Sequence, residues 1–462
     1  MMKPGNAGGA KGTRKMEGEM VKRTEHPPAT VPQAQQAGIA ERLLATAKPC
    51  VWTARMLAAL ISGAEGGPWF RLFDKVFAER NLLAAFQQVH EKKGAAGVDH
   101  VTTQEFARQI PEALWQLSDA LKEGTYQPSA IRRVHIPKPG TSETRPLGIP
   151  TVRDRIVQAA LVNVIEPIFE RDFAEHSYGF RPKRGCRDAL RRVDELLKAG
   201  FVHVVDADLK GYFDSIPHAG LMDRLRTKIA DGRVLSLIEA FLQAGIQEGL
   251  ETWTPESGAP QGAVLSPLLS NIYLDPLDHL VAQAGFEMVR YADDFVILCR
   301  TADEAQRALE LVQQWTGENG LTLHPTKTRI VDSRTESFGF LGYDFRGTKH
   351  WPRQKSIQKL KAAIRLKTRR TNGRSLQCIV HDLEPTLRGW FQYFRHSSYR
   401  NVFRDLDGWI RMRLRSILRK RLGRKGRGRG HDHQLWTNKF FADQGLFSLV
   451  TTHASVCQSS RR

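Results

Sequence analysis

The sequence has few of the features that mark a secreted or membrane protein. Its five cysteines, Cys50, Cys186, Cys299, Cys378 and Cys457, are odd in number and widely spaced, with no CxxC pair. That excludes a disulfide framework and the Cys/His spacing of a zinc site. No apolar run approaches the roughly 20 residues needed to cross a bilayer. The N-terminus carries Gly, Lys and Arg without the apolar core of a secretory signal, so a reducing, cytoplasmic setting is the default. Acidic residues are scarce in one region: residues 351–430 hold 4 Asp/Glu against 23 Lys/Arg, in a chain whose net charge is +20. The remainder is therefore close to neutral. A solvated charged face mixes signs, whereas a block of one sign with aromatics among it points to a polyanion.

With 462 residues and 41% hydrophobic content, the chain has room for two or more domains. Residues 1–38, rich in Gly, Pro, Ala, Lys and Gln, read as a disordered tail. Residues 39–130 show helical spacing, for example Phe73, Val76, Phe77, Leu82, Leu83, Phe86 and Val89, and read as a helical extension. Next, Ile131-Arg132-Arg133-Val134-His135-Ile136-Pro137 alternates like a strand. Lys138-Pro139-Gly140 turns it and Arg145-Pro146-Leu147-Gly148-Ile149 returns, making a basic hairpin. Its plainer reading is an edge hairpin guarded by positive charge. A long amphipathic helix follows through Ile156, Val157, Ala160, Leu161, Val164, Ile165 and Ile168.

After a loop and a helix, a β-rich run ends in Asp206-Ala207-Asp208. Helices, a glycine-rich turn at residues 258–262, a hairpin, a helix and a last short strand complete this part. That order predicts a split βαβ, ferredoxin-like sheet with helices on one face. Residues 131–345 thus form an α+β unit. Residues 351–425 read as three amphipathic helices with apolar inner and cationic outer faces, an all-α domain. At their spacing, Trp390 and Trp409 favour core packing over stacking on bases. Residues 426–462 read as a basic tract and a short folded cap, and Arg419 to Arg429, interrupted by three glycines, are expected to be mobile and to lie along phosphates.

The chemistry is concentrated at Tyr291-Ala292-Asp293-Asp294, between two short apolar runs. The pattern predicts two strands and a tight turn with both carboxylates at the bend. Adjacent carboxylates resist ionising together unless a cation sits with them. Mg²⁺, with Mn²⁺ as a substitute, favours carboxylate oxygens and phosphates. The predicted sheet brings Asp208 beside Asp293 and Asp294. Three carboxylates there suit two ions, one activating a hydroxyl and one stabilising a leaving pyrophosphate. The plainer readings are a polar turn and, for Asp208, a helix cap or surface charge.

These blocks, in this order, resemble a reverse transcriptase, specifically the group II intron family that combines reverse transcriptase with maturase. Asp206-Ala207-Asp208-Leu209-Lys210-Gly211-Tyr212-Phe213-Asp214 is similar to the first palm motif, and Gly258-Ala259-Pro260-Gln261-Gly262 to the second. Tyr291-Ala292-Asp293-Asp294 is similar to the third, Gly320-Leu321-Thr322-Leu323 with Lys327-Thr328 to the fourth, and Phe340-Leu341-Gly342-Tyr343 to the fifth. The basic hairpin and Ser177-Tyr178-Gly179-Phe180-Arg181-Pro182 resemble the fingers. Gly389-Trp390-Phe391-Gln392-Tyr393-Phe394 and Gly408-Trp409-Ile410 resemble the thumb and maturase region.

The resemblance implies a right-hand polymerase, with fingers and palm followed by an all-α thumb/maturase domain. Asp208 and Asp293 would hold the metal and Asp294 would complete the acidic site. Lys138 and Arg145 would grip the triphosphate. Phe213 would lie under the sugar and reject a 2′-hydroxyl by clash. Gln261 would contact the nucleotide or template, Gly262 would let the backbone approach it, and Lys327 would protonate pyrophosphate. Arg181, Arg184, Arg411 and Arg415 would contact RNA. The implied partners are group II intron RNA, an RNA template/DNA primer duplex, dNTPs and target DNA, with no membrane, in the bacterial cytoplasm or nucleoid.

The implied function is to copy intron RNA into DNA and, as maturase, to assist splicing and mobility. The residues after Gly430 lack the Cys/His spacing of a metal-dependent endonuclease. The expectation is therefore a form lacking that domain, using a primer made elsewhere. Rival readings are a splicing-only RNA-binding maturase, an RNA-dependent RNA polymerase, and a non-intron prokaryotic reverse transcriptase of a defence or diversity-generating system. Asp208, Asp293 and Asp294 speak against the first, Phe213 against the second and the basic helical block against the third.

Overall fold

The structure, a computed structural model, describes residues 43–62, 67–137 and 144–459. The expected tail at residues 1–38 and Lys138 at the hairpin tip lie outside the described residues. Helix α1 (Glu79–Glu91) buries Leu82, Ala85, Phe86 and Val89 at the helical spacing of its sequence. Strands β1 (Ile131–Pro137) and β2 (Thr144–Ile149) form the expected antiparallel hairpin, in register from Arg132↔Ile149 to Pro137↔Thr144. Helix α2 (Val152–Glu170) is buried on nearly every side, with the polar Asp154, Gln158 and Asn163 buried alongside its expected apolar face. Asn81 of α1 gives its amide to Ala160 O of α2 at 3.0 Å, tying the two together.

Helix α3 (Cys186–Lys198) leads to β3 (His203–Asp208). Two strands that the sequence reading missed follow, β4 (Ile246–Glu248) and β5 (Glu251–Trp253). β4 pairs parallel with β1, giving a four-stranded fingers sheet of order β2-β1-β4-β5. Helix α4 (Ser266–Gln283), β6 (Glu287–Tyr291), β7 (Asp294–Cys299), α5 (Ala302–Glu318) and β8 (Arg329–Asp332) complete the palm. Its sheet has the order β6-β7-β3-β8, antiparallel throughout. This is the predicted split βαβ arrangement.

The expected one-sided helical cover is corrected. Val205, Ala207, Phe295 and Ile297 pack into the main core together with α4 and α5 residues. Val204, Val296 and Leu298, on the opposite face, pack with Ala189, Val193, Leu196 and Leu197 of α3. The cause lies in the strands: the even-numbered positions are apolar at one end and need cover, but become acidic at Asp206, Asp208 and Asp294.

A small sheet of β9 (Phe338–Phe340), β10 (Tyr343–Arg346) and β11 (Lys349–Pro352) joins the palm to the helical domain. The three predicted basic helices are α6 (Gln354–Lys367), α7 (Leu376–Phe394) and α8 (Arg400–Arg421). Leu360, Ile364, Leu383, Leu387, Phe391, Phe403, Ile410 and Leu414 form their shared core. Trp390 and Trp409 pack against it partly buried, as their spacing predicts. The C-terminal cap adds Trp436, Phe441 and Leu449 to this core. Asp407 of α8 caps the last helix, α9 (Leu449–Ser459), accepting from Leu449 N at 3.1 Å and Val450 N at 3.2 Å. Among the described residues no helix is long and apolar enough to cross a membrane.

Candidate active site

Asp208 ends β3, and Asp294 begins β7 directly opposite it in register. Side chains at such a pair emerge on the same face, so the pairing alone sets these two carboxylates together. Asp293 lies in the two-residue turn between the paired Tyr291 and Asp294. Ala292, the other turn residue, holds φ at 60°, a region that costs a side chain free energy.

Two residues hold this turn. A Cβ on Gly179 would lie 2.3 Å from Ala292 N, so only glycine lets the preceding loop pass beneath it. Arg290 is fully buried. It gives Nη1 to Ala292 O at 3.0 Å and Nε to Asp278 Oδ1 at 2.7 Å. The sequence reading missed Arg290. Its signal was an arginine inside an apolar strand, which needs an acid of its own.

The carboxylates disturb one another. Burial first, then the charges of Asp206, Asp293 and Asp208, push Asp294 up to about 7. Asp293 is raised by burial and by Asp208, against the opposing charges of Arg145 and Lys327. Asp206 is pushed up to about 6 by burial, with Arg329 and Arg353 opposing. The Lys327 ammonium pairs with Asp208. The fold therefore brings Asp208, Asp293, Asp294, Arg145 and Lys327 to one place.

Among the described residues no group of three or more His, Cys, Asp or Glu side chains is arranged to hold a metal ion, so the expected three-carboxylate ligand set is not formed here. An open pair of carboxylates still suits Mg²⁺, which keeps several waters and binds through one or two carboxylates plus substrate phosphates. Crowded carboxylates whose proton affinity rises through mutual repulsion are groups that a divalent cation would relieve. The residues fit such an ion.

The glycine-rich turn lies against the Phe213 segment and the fingers. Gly258, at φ 93°, would place a Cβ 2.9 Å from Phe213 O, and Ala259 N donates to that oxygen at 2.7 Å. Gly262, at φ 108°, would place one 2.6 Å from Gly148 O, while Gly148 N donates to Gln261 O at 2.6 Å. Gln261 and Asp214 line a cleft of about 550 Å³ with Pro146 and Arg133 of the fingers hairpin. Phe213 is half-buried against the core, with its ring 5.5 Å from that of Tyr212.

The arginines assigned to RNA are corrected. Arg181 is buried, giving Nε and Nη2 to Glu170 and Nη1 to the carbonyls of Ala174 and Ser177. Arg184 is spent on Glu175 and the Ser177 carbonyl. Arg415 is buried and gives Nε to Trp436 O at 2.9 Å, fastening the cap. Arg411 lies 3.9 Å from Asp407 with little of its side chain exposed. Arg419, the start of the expected mobile tract, pairs with Asp432 at 2.5 Å. Arg181, Arg184, Arg411 and Arg419 each face an acid inside the fold, while Arg415 is held by the neutral oxygens of Trp436 and Asn438.

The description "Reverse transcriptase (RNA-dependent DNA polymerase)" matches residues 136–345, and "Group II intron, maturase-specific domain" matches residues 357–436. Protein YkfC of Escherichia coli (strain K12) is 36% identical over 304 residues, covering 57% of this chain and 79% of that protein. The chain belongs to the group II intron-encoded reverse transcriptase/maturase family. Group II intron-encoded protein LtrA of Lactococcus lactis subsp. cremoris is 40% identical over 222 residues, 48% of this chain. The chain spans 36% of the length of that relative. An uncharacterized 91 kDa protein in the cob intron of Schizosaccharomyces pombe is 31% identical over 294 residues, covering 51% of this chain and 36% of that protein. The reverse transcriptase match contains every carboxylate of the candidate site. The maturase match covers α6 to α8 and ends on Trp436 of the cap.

Proposed function

We propose that this reverse transcriptase/maturase is an RNA-directed DNA polymerase that copies group II intron RNA into DNA. Its helical domain binds the same RNA to assist splicing and mobility. One observation carries the reading: Asp208 and Asp294 are opposed in register, with Asp293 in the adjoining turn. A binding module has no need of acidic groups crowded at such cost.

Two Mg²⁺ ions (or Mn²⁺) held by Asp208 and Asp293, with Asp294 beside them, would supply charge neutralisation and hydroxyl activation. The protein's own groups do the rest. Arg145, with Lys138 from the hairpin tip, binds the triphosphate of a dNTP. Lys327, which pairs with Asp208, would give a proton to pyrophosphate. Phe213 excludes ribonucleotides by shape, and Gln261 meets the template–nucleotide pair from the cleft. The further partners are an RNA template/DNA primer duplex and target DNA, in a bacterial cytoplasm or nucleoid without membrane attachment.

The test is primer extension on an RNA template with dNTPs and Mg²⁺. Asp293→Ala with Asp294→Ala should reduce synthesis to background while intron RNA binding persists. Undiminished extension by that variant would remove the polymerase assignment.

A further inference from the structure

The loop at residues 177–182, expected to meet RNA through its arginine, spends Arg181 inside the fold. What it presents to solvent is Phe180. That side chain is 47% exposed, although its residue is held at φ 58°, a left-handed conformation that bulky residues avoid. Strain of this kind persists only where the surroundings over-determine the backbone, and it gathers at functional sites.

Here the backbone is fixed on both sides of the ring. Before it, Tyr178 N donates to Arg290 O of β6 at 2.8 Å, and Gly179 O accepts from Asn271 Nδ2 of α4 at 2.9 Å. After it, Arg181 is locked by Glu170 at 2.7 Å and by the Ala174 carbonyl at 2.6 Å. The fold thus holds a large apolar ring in the open at a conformational cost.

The ring also stands beside the acidic turn. Gly179, the residue before it, passes beneath Ala292, and the Phe180 ring centre lies 6.4 Å from that of Tyr291, which opens the turn. Tyr291 is paired with Asp294, so its side chain emerges on the face that carries Asp208 and Asp294. Phe180 lines no part of the cleft with Gln261, where the template–nucleotide pair is placed. The strand that must reach the acids from elsewhere is the one whose 3′-hydroxyl attacks.

We propose that Phe180 is a primer contact: its exposed ring packs against the 3′-terminal nucleotide of the DNA primer and holds that end at the acids of the turn. Aromatic rings serve as platforms for nucleotides of any sequence, because every base has a π-face. A ring on a backbone already ordered loses little freedom when the strand arrives. The inference rests on the polymerase reading and deepens it by naming the strand that this loop holds.

The test uses the full chain and measures equilibrium binding of an RNA template with and without an annealed DNA primer, together with thermal melting and steady-state extension. Phe180→Ala should weaken binding of the primed template about tenfold, leave binding of the unprimed RNA unchanged, and raise the KM for primer–template but not for dNTP. Phe180→Tyr, which keeps the ring, should restore most of the affinity. Phe180→Gly separates a contact from a structural role. It relieves the left-handed backbone, so it should melt no lower than Phe180→Ala, yet bind the primed template as weakly. Unchanged primed-template affinity in Phe180→Ala overturns the proposal. So does an equal loss with and without primer, which would place the ring on the template, a loss confined to the KM for dNTP, or affinity restored by Phe180→Gly. A wild type whose primed-template binding depends on Phe180 but which extends no primer upholds the contact and overturns the polymerase reading instead.

Discussion

Arg181 and Asp294 show how one side chain's role depends on its surroundings. Arg181 carries the charge of an RNA contact but sits buried against Glu170, which is itself 1% exposed. Removing one partner of a buried pair leaves the other charge uncompensated, at about 3–5 kcal/mol. Arg181→Ala should therefore lower the thermal midpoint strongly, while the protein that remains folded keeps its RNA affinity in a binding assay. Asp294 holds its proton to about pH 7 in the folded chain, against the ordinary 3.8 expected when unfolded. The folded state thus binds the extra proton, and stability falls as pH rises across that window. Melting curves without divalent ions should show this fall between pH 4 and pH 7, and Asp294→Asn should make it shallower, leaving the part that comes from Asp206 and Asp293.

At the scale of elements, the palm was legible because β3, β6 and β7 have apolar runs that end abruptly in carboxylates. Pairing such runs leaves one register that keeps Val204, Val296 and Leu298 covered, and that register opposes Asp208 to Asp294. β4 and β5 were not legible. Each has three residues, β5 is exposed throughout, and their pairing depends on β1, more than a hundred positions earlier. The acids of the candidate site could be read from their motifs, whereas the fate of each arginine could not. Whether a guanidinium meets Glu170, Trp436 O or open solvent is decided by packing that no local pattern records. The glycines of the 258–262 turn were legible as a turn but not as a contact with the fingers. Gly262→Ala would press a Cβ to 2.6 Å from Gly148 O at an unfavourable φ of 108°, at a cost of about 1–3 kcal/mol. It should lower the denaturation midpoint and weaken dNTP binding, by displacing β2 with Arg145; unchanged binding would contradict that coupling.

Across the whole molecule, charge is segregated. The palm and fingers carry the crowded acids, while the helical domain carries nearly all the excess positive charge. On that domain Lys361, Arg365 and Arg413 lie 5.6, 5.6 and 5.4 Å from the half-buried Trp409 ring, leaving cations on the outer face while the tryptophan packs inward. If RNA meets six to ten of these cations, affinity should fall by about 10³ to 10⁵ between roughly 50 and 200 mM salt. A shallow salt dependence in an equilibrium binding titration would contradict an electrostatic grip.

The central claim is that the acids of β3 and the hairpin turn together hold divalent ions at the point of DNA growth. The most direct measurement is Mn²⁺ binding, followed by electron paramagnetic resonance, to the protein with an RNA template, a chain-terminated DNA primer and the next dNTP. The account predicts two bound ions in the wild type and loss of binding in both Asp208→Asn and Asp293→Asn. Wild-type stoichiometry and affinity in either variant would contradict it.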